Sequence, residues 1–498
     1  MGYPDLAIVV MDCVRAWDFP GGAEPVEGLS FVDDLRRESV TFTHAASVAP
    51  WTMPSHASIF TGLHPWEHGM HGRHSMALAP EVARLPDLLR PLGYRSACIS
   101  ANPLVSPTTG LSAGFDYCAW GTMFEMFLRT DHRTSPPRTL PEKTAGPATA
   151  PSLRSRLLSR LPYDEIPLRS LLERNVILPT VAGRVLEGLR DCQRNDSFDV
   201  ARWIEPTLSE FLKTVPQDQP SFCFVNLLDA HEPYFADPST RPDGQGWWAY
   251  ARLRQDRLGW LQNPRRRQGR DVRFLRALYR EAIRRIDRRI RSIVEVFREH
   301  GRWEEICFVL TSDHGQAFGE HGMIYHRFRV DDAQIRIPMI VRFPHGEHGG
   351  GDSASWASLV DLAPTLFRAV GQPAPTRFSG APLQDLVHST RFDPVFAITD
   401  GTIGERWIPE SRRPELDRLA AAAYRGPYKV IVESSPESVH AFNVDEDRGE
   451  TRDVWSSAGS DVAELAAEAR TIVGRLEALP HEPISPEVSE RLEAWGYI

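Results

Sequence analysis

The sequence predicts an α/β protein: one large, mostly parallel sheet flanked by helices, followed by a smaller C-terminal α+β subdomain. Three observations lead there. Short β-rich apolar runs alternate with stretches of helical periodicity, polar residues suited to chemistry recur where those runs end, and the pattern changes beyond residue 400.

The runs are LAIVVM (6–11), RSACIS (95–100), SFCFVNLL (221–228), EICFVLTS (305–312), PMIVRF (338–343) and VFAIT (395–399). Continuous apolar runs of this length suit strands covered on both faces. Between them, RLPDLLRPLGY (84–94) sets Leu85, Leu88, Leu89 and Leu92 on one helix face and closes at Gly93. Phe274, Leu278, Ile286, Ile290, Ile293 and Phe297 keep the spacing of a longer helix whose other face is rich in arginine. Two stretches interrupt the alternation, 128–163 (Pro, Ser, Thr, Arg) and 236–271 (Pro, Gly, Trp, Arg). Both read as insertions over the sheet edge, solvated loops or a substrate-covering lid.

In the last hundred residues YKVIVE (428–433) and VHAFNV (439–444) form a hairpin-type pair. Val462, Leu465, Ala469, Ile472, Val473 and Leu476 mark an amphipathic helix over 461–479. The expected organisation is a domain over 1–400 carrying both insertions, and a subdomain over 401–498.

Composition narrows the function. A chain of 498 residues with 42% hydrophobic content can build a sizeable core. Its formal charge of −9 argues against a protein that coats nucleic acid. The cysteines, Cys13, Cys98, Cys118, Cys192, Cys223 and Cys307, lack CxxC spacing and are expected to be reduced core thiols. The N-terminal MGYPDLAIVVMD lacks a basic n-region, and no segment reaches the ~20 apolar residues of a membrane span, so the expectation is a cytoplasmic protein without an integral membrane segment. Lys143, Lys213 and Lys429 are the only lysines.

Asp12 ends the first run, Asp229 and His231 end SFCFVNLLDAHEPY, and Asp313 and His314 end EICFVLTSDHG. Open α/β sheets bind ligands at the carboxyl ends of their strands. Carboxylates and imidazole converging there suit a divalent metal. In APWTMPSHASIFTG (49–62), proline between two hydroxyl residues reads as a turn opening a helix.

These blocks resemble the sulfatase-like branch of the alkaline phosphatase superfamily. The resemblance rests on MDCVRAWD (11–18), APWTMPSHASIFTGLHPWEHG (49–69), DAHEPY (229–234) and TSDHGQAFGEHG (311–322). It continues through IRIPMIVRFP (335–344), SLVDLAPTLFRAVG (358–371), GPYKVI (426–431) and LEAWGYI (492–498). It implies Thr52 as nucleophile and a metal on Asp12, Thr52, Asp313 and His314. One divalent ion is expected, Mn, Zn or Ca, with a second possible; a two-metal arrangement would draw on His231, His326 and Asp229. By the same resemblance His231 and His326 contact the substrate and protonate the leaving oxygen, while His56 and Asn102 contact it as well.

The chain also departs from the sulfatase pattern. Cys13 stands where sulfatases carry a second aspartate, and reads as a packed thiol. Thr52 replaces the cysteine or serine that is oxidised to an aldehyde, and His56 replaces the arginine supporting it. A secondary alcohol oxidises only to a ketone. Thr52 and His56 therefore resemble the threonine-nucleophile phosphodiesterases, phosphonate hydrolases and phosphoethanolamine transferases. The expected activity is hydrolysis or transfer of a small anionic phosphate or phosphonate ester through phosphothreonine. Two alternatives are a sulfate-ester hydrolase using unmodified threonine and a binding protein that has lost catalysis. His64, His68, His71 and His74 read as structural, His321 as a turn cap, and Arg327 and Arg329 as surface residues.

Overall fold

The computed structural model describes residues 2–72, 74–121, 202–232, 234, 270–401, 418–434, 437–480 and 488. The expected insertion at 128–163, nearly all of that at 236–271, Lys143, Cys192 and the terminal LEAWGYI lie outside the described residues.

The principal sheet contains β1 (Leu6–Met11), β2 (Val40–Ala46), β3 (Arg95–Ser100), β4 (Tyr117–Trp120), β5 (Ser221–Leu227) and β6 (Cys307–Thr311). A short hairpin, β7 (Ala317–Phe318) with β8 (Ile324–Tyr325), separates these from β9 (Met339–Arg342) and β10 (Gly351–Ser358). The eight strands of the sheet run in the order β10-β2-β9-β6-β1-β5-β3-β4. All pair in parallel except β9, which is antiparallel to both β2 and β6.

Both faces are covered, as the unbroken apolar runs require. Ala7, Val9 and Met11 of β1 join the core beneath α1 (Ser30–Arg37), α4 (Ile204–Lys213) and α5 (Arg270–Glu299). Leu6, Ile8 and Val10 point the other way, against α2 (Thr52–Thr61), α3 (Leu85–Leu89) and α6 (Leu362–Ala369). The predicted leucine helix is shorter than its pattern: it tightens over Arg90–Leu92 and ends at Gly93, whose φ of 90° lies in the left-handed region glycine enters freely. Cys13, Cys98, Cys118, Cys223 and Cys307 are buried free thiols. Among the described residues no helix is long and apolar enough to cross a membrane.

A second, antiparallel sheet comprises β11 (Val395–Thr399), β12 (Ala420–Arg425), β13 (Tyr428–Ser434) and β14 (Glu437–Asn443). VFAIT, read with the strands of the large sheet, is its edge strand. A five-residue apolar run carries no mark of which sheet it joins. One face, including Ala421, Ala423, Val430 and Val432, packs under α7 (Ser460–Ala478). The other, with Ala422, Tyr424 and Ile431, packs on Ala46, Ile335 and Trp356 beside the large sheet.

Candidate active site

The parallel strands bring their carboxyl ends to one edge, and the residues that follow them make the site. Asp12 and Cys13 follow β1, Thr52 follows β2 through a five-residue turn, Asn102 follows β3, His231 and Glu232 follow β5, and Asp313 and His314 follow β6. Asp12, His56, Asn102, Asp313 and His314 are fully buried, and Thr52 is 3% exposed.

Thr52 is the first residue of α2. Pro54 lies in the opening turn, where its missing N–H removes no helical bond. Ser55 Oγ donates to the carbonyls of Trp51 (2.9 Å) and Ala49 (3.1 Å), fixing the turn that delivers the threonine. The unpaired amides and positive dipole end of a helix N-terminus favour an anion at this point. Asn102 Nδ2 donates to Asp12 Oδ2 at 2.7 Å and lies 3.4 Å from Thr52 Oγ1, while its carbonyl oxygen accepts from the Leu104 amide. The structure thus sets Asn102 between a carboxylate and the threonine hydroxyl.

His56 stands behind the threonine. Its Nδ1–H donates to the Thr52 carbonyl at 2.9 Å, so Nε2 accepts from Asn226 Nδ2 at 3.3 Å. Burial holds it neutral, its pKa lowered to about 3. Both ring nitrogens are engaged with protein, which places His56 as a brace of α2, away from the substrate role the sequence suggested.

The donor set fits a cation. His314 Nδ1–H donates to the Gly315 carbonyl at 2.9 Å, which leaves the Nε2 lone pair facing Asp313 Oδ2 at 3.4 Å and Asp12 Oδ1 at 3.8 Å. Asp313 Oδ2 and His314 Nε2 are buried without a hydrogen-bond partner. A lone pair facing carboxylates is repulsive unless a positive ion joins them. Without one, burial raises Asp313 to about pKa 7, and burial together with Asp313 raises Asp12. Asp12, Asp313 and His314 are therefore the residues that would hold a metal, with Thr52 Oγ beside them.

His231 and His326 converge on the same edge. The His326 ring is 4.3 Å from that of His314 and 5.2 Å from that of His231, centroid to centroid. Glu232 and Gln316, assigned no role from sequence, are here too, with the packed thiol of Cys13. Gln316 Oε1 accepts from His326 Nδ1 at 2.7 Å, and its amide donates to Glu232 Oε2 at 2.9 Å and to Tyr234 Oη at 2.6 Å. Only the DAHEPY and TSDHGQ contexts hinted at Glu232 and Gln316, because the contact between them spans 84 positions.

Other expectations resolve individually. Asp229, the extra carboxylate of a two-metal arrangement, is turned to Arg285 (3.8 Å) and Arg289 (3.5 Å) on α5. His68 is structural: its Nδ1 accepts from the Met70 amide at 3.0 Å and its Nε2 meets Ser58 Oγ at 3.1 Å. His71 meets Asp400 at 3.2 Å, and His64 stacks on Trp66. Arg329 is paired with Asp331 at 2.6 Å, while the buried Arg327 lies over the Trp51 ring.

Comparison with known proteins gives the family and the fold. The family description "Sulfatase" matches residues 4–372. The N-acetylglucosamine-6-O-sulfatase of Bacteroides thetaiotaomicron is 24% identical over 386 residues, covering 72% of this chain and 66% of that protein, just under two thirds of its length. The phosphonate monoester hydrolase of Agrobacterium radiobacter shares the fold with a TM-score of 0.63 at 17% identity, covering 95% of each chain. A protein solved with its substrate D-glucosamine-2-N,6-O-disulfate gives 0.62 at 14% identity, covering 96% of this chain and 99% of that one. The family match runs over most of the chain and the solved structures share its fold: it belongs to the sulfatase family.

Proposed function

We infer that this chain is a metal-dependent hydrolase of phosphate or phosphonate esters with Thr52 as covalent nucleophile. One observation carries the reading: the residue presented at the helix start beside Asp12 and Asn102 is a threonine, which cannot become the aldehyde of formylglycine chemistry. A divalent cation on Asp12, Asp313 and His314 would supply positive charge beside the hydroxyl and the ester's anionic oxygens.

The chain's own groups do the rest. The α2 N-terminus receives the anionic group, and Asn102 holds the Thr52 hydroxyl against the carboxylate edge. Thr52 Oγ gives its proton to the Asp12 or Asp313 carboxylate and bonds to phosphorus as the bond to the leaving oxygen breaks, and that oxygen takes a proton from a protonated His231 or His326. Water, or an acceptor alcohol, then attacks the phosphothreonine, giving its proton to the imidazole that lost one, while Thr52 Oγ leaves phosphorus and takes back the carboxylate's proton. His56 and Asn226 keep α2 in register during both steps.

A panel of aryl phosphonate, phosphodiester, phosphomonoester and sulfate esters, run with one metal-loaded preparation, tests the substrate class. Phosphonate or phosphodiester turnover should exceed sulfate turnover. The reverse order would transfer the mechanism to sulfate, the chemistry in the names of several relatives. Thr52→Ala should lower kcat by at least about 10³-fold while retaining metal and fold. Acid quenching during turnover should trap a phosphoryl group on the peptide containing Thr52; turnover without it would refute the covalent step.

A further inference from the structure

His231 and His326 reach the same strand-end edge but are held differently. His231 Nδ1 meets the main-chain carbonyl of Glu232, its own neighbour, at 2.5 Å. His326 Nδ1 meets a side chain, Gln316 Oε1, at 2.7 Å, and its ring packs on that of His314 with centroids 4.3 Å apart. Gln316 is fully buried and its backbone is tied on both sides. Its amide donates to the Ala333 carbonyl at 2.8 Å, and its carbonyl accepts from Arg15 Nη1 at 3.4 Å.

A side-chain amide offers either its oxygen or its nitrogen, and its neighbours decide which. Gln316 Nε2 has two N–H groups; one donates to Glu232 Oε2 at 2.9 Å and the other to Tyr234 Oη at 2.6 Å. A carboxylate only accepts, so turning the amide over would set oxygen against oxygen where both Glu232 and Tyr234 are buried. The carbonyl oxygen is thereby committed to His326, which answers with Nδ1–H. Cys13 agrees with this assignment: its thiol hydrogen goes to Asp12 Oδ1 at 3.1 Å, so its sulfur faces the same Nδ1 at 3.6 Å as an acceptor.

We propose that Gln316 is the positioning residue for proton transfer: it keeps His326 protonated at Nδ1, leaves Nε2 as the exchanging nitrogen, and so makes His326 the proton donor to the leaving oxygen. The inference rests on the functional reading above. In the first step the Nε2 proton of the His326 imidazolium passes to the leaving oxygen as its bond to phosphorus breaks. The neutral ring keeps Nδ1–H on Gln316, so the lone pair left on Nε2 takes the proton of the attacking water in the second step. Gln316 Oε1 accepts the same bond in both states, and no tautomer exchange separates the steps. A neutral imidazole without that acceptor can settle with its proton on Nε2, where it cannot take one from water.

Two methylphosphonate monoesters, nitrophenyl and phenyl, read the transfer, because nitrophenolate departs without help whereas phenolate gains from a proton. With metal-loaded, full-length protein, kcat/KM reports the step in which the leaving group departs. Gln316→Met should slow the phenyl ester at least about tenfold more than the nitrophenyl ester, and His326→Gln should do the same. The double variant should add less than about threefold to the slower single one. His231→Gln should slow both esters by a similar factor. Metal content and circular dichroism accompany each variant. Equal slowing of the two esters by Gln316→Met is what a core-filling side chain would give, and it overturns the proposal; so does leaving-group dependence in His231→Gln without it in His326→Gln. If Gln316→Met fails to fold, the wild type still decides. Nitrogen resonances of isotope-labelled histidine, with His326 assigned by its absence from His326→Gln, should show the neutral ring protonated at Nδ1, and protonation at Nε2 overturns the assignment. The corresponding aryl sulfates serve if sulfate is the group cleaved. Failure to trap phosphothreonine sinks the covalent reading and leaves the leaving-group ratio standing, whereas equal slowing sinks the role of Gln316 and leaves the trapping untouched.

Discussion

Two buried clusters of charge, both reached from the segment that joins β6 to β9, differ in how they are compensated. At the first, Lys429 Nζ meets Asp332 Oδ1 at 2.8 Å, Glu450 Oε1 at 2.5 Å and the Val330 carbonyl at 2.6 Å, and Tyr424 donates to Asp332 at 2.6 Å. Burial alone would raise the Asp332 carboxyl, but Lys429 and then Arg336 outweigh it and bring its pKa below the ordinary value, while burial raises Glu450 on the same ammonium to about 8, so that the lysine's charge is matched to Asp332. At the second, Asp12 and Asp313 meet Asn102, Cys13, His56 and His314, none of which carries permanent positive charge. Burial there holds both carboxyls above their ordinary range. The difference separates architecture from chemistry: a buried carboxylate matched by a lysine fastens two layers together, and one left unmatched waits for a cation.

The contrast can be broken by substitution. The largest effect is expected at the unmatched cluster. Asp313→Asn should lower kcat/KM at least about 10³-fold and reduce metal content, by steady-state assay and elemental analysis. In metal-free protein the same change should raise urea stability by about 1–3 kcal/mol, because an amide replaces a buried carboxyl that lacks a counter-charge. An apo variant less stable than the apo wild type would erase the distinction.

The matched cluster should respond in the opposite sense. Lys429→Met leaves Asp332 and Glu450 buried without their ammonium partner and should destabilise the fold by about 3–5 kcal/mol in metal-free and metal-loaded protein alike. A loss below about 1 kcal/mol in denaturant titration would show that the cluster does not hold the layers together.

A smaller, graded effect is expected from His68, buried but away from both clusters. Burial lowers its pKa from 6.5 to about 3, so it stays neutral when folded while the unfolded chain takes up a proton. The stability it contributes is present above about pH 6.5 and falls as pH drops toward 3, by at most ~1.4 kcal/mol per pH unit. Denaturant titrations at pH 7 and 5 should show a shallower loss in His68→Gln than in the wild type; equal slopes would remove His68 from the acid response.

How far these features could be read beforehand depended on whether their signal was local. β1, β3, β5 and β6 announce themselves because strands covered on both faces are continuous apolar runs. β2 and β10 do not: VTFTHAA and GDSASWAS lie toward the sheet edge with partly exposed positions, and β10 carries a register break between Ser353 and Trp356. Likewise Asp12, Thr52, Asp313 and His314 were legible from motif and strand end, and the fold gathers them. Cys13 was read as a packed thiol and is one, but nothing next to it in sequence shows that residue 326 comes within 3.6 Å of its sulfur. His56 was read as facing substrate because its motif position precedes knowledge of Asn226, 170 positions away, which takes its second nitrogen.

The reversed strand β9 has an effect on how such a site can change. Because β9 runs against β6, the chain leaves and re-enters the sheet at the same rim, arching over it and tied back where Gly315 and Gln316 amides bond to the carbonyls of Gln334 and Ala333. Asp313, His314, Gln316 and His326 all hang from that one bridge. Variation within it can therefore exchange several reactive groups together, while the foundation of stacked strands below stays as it was.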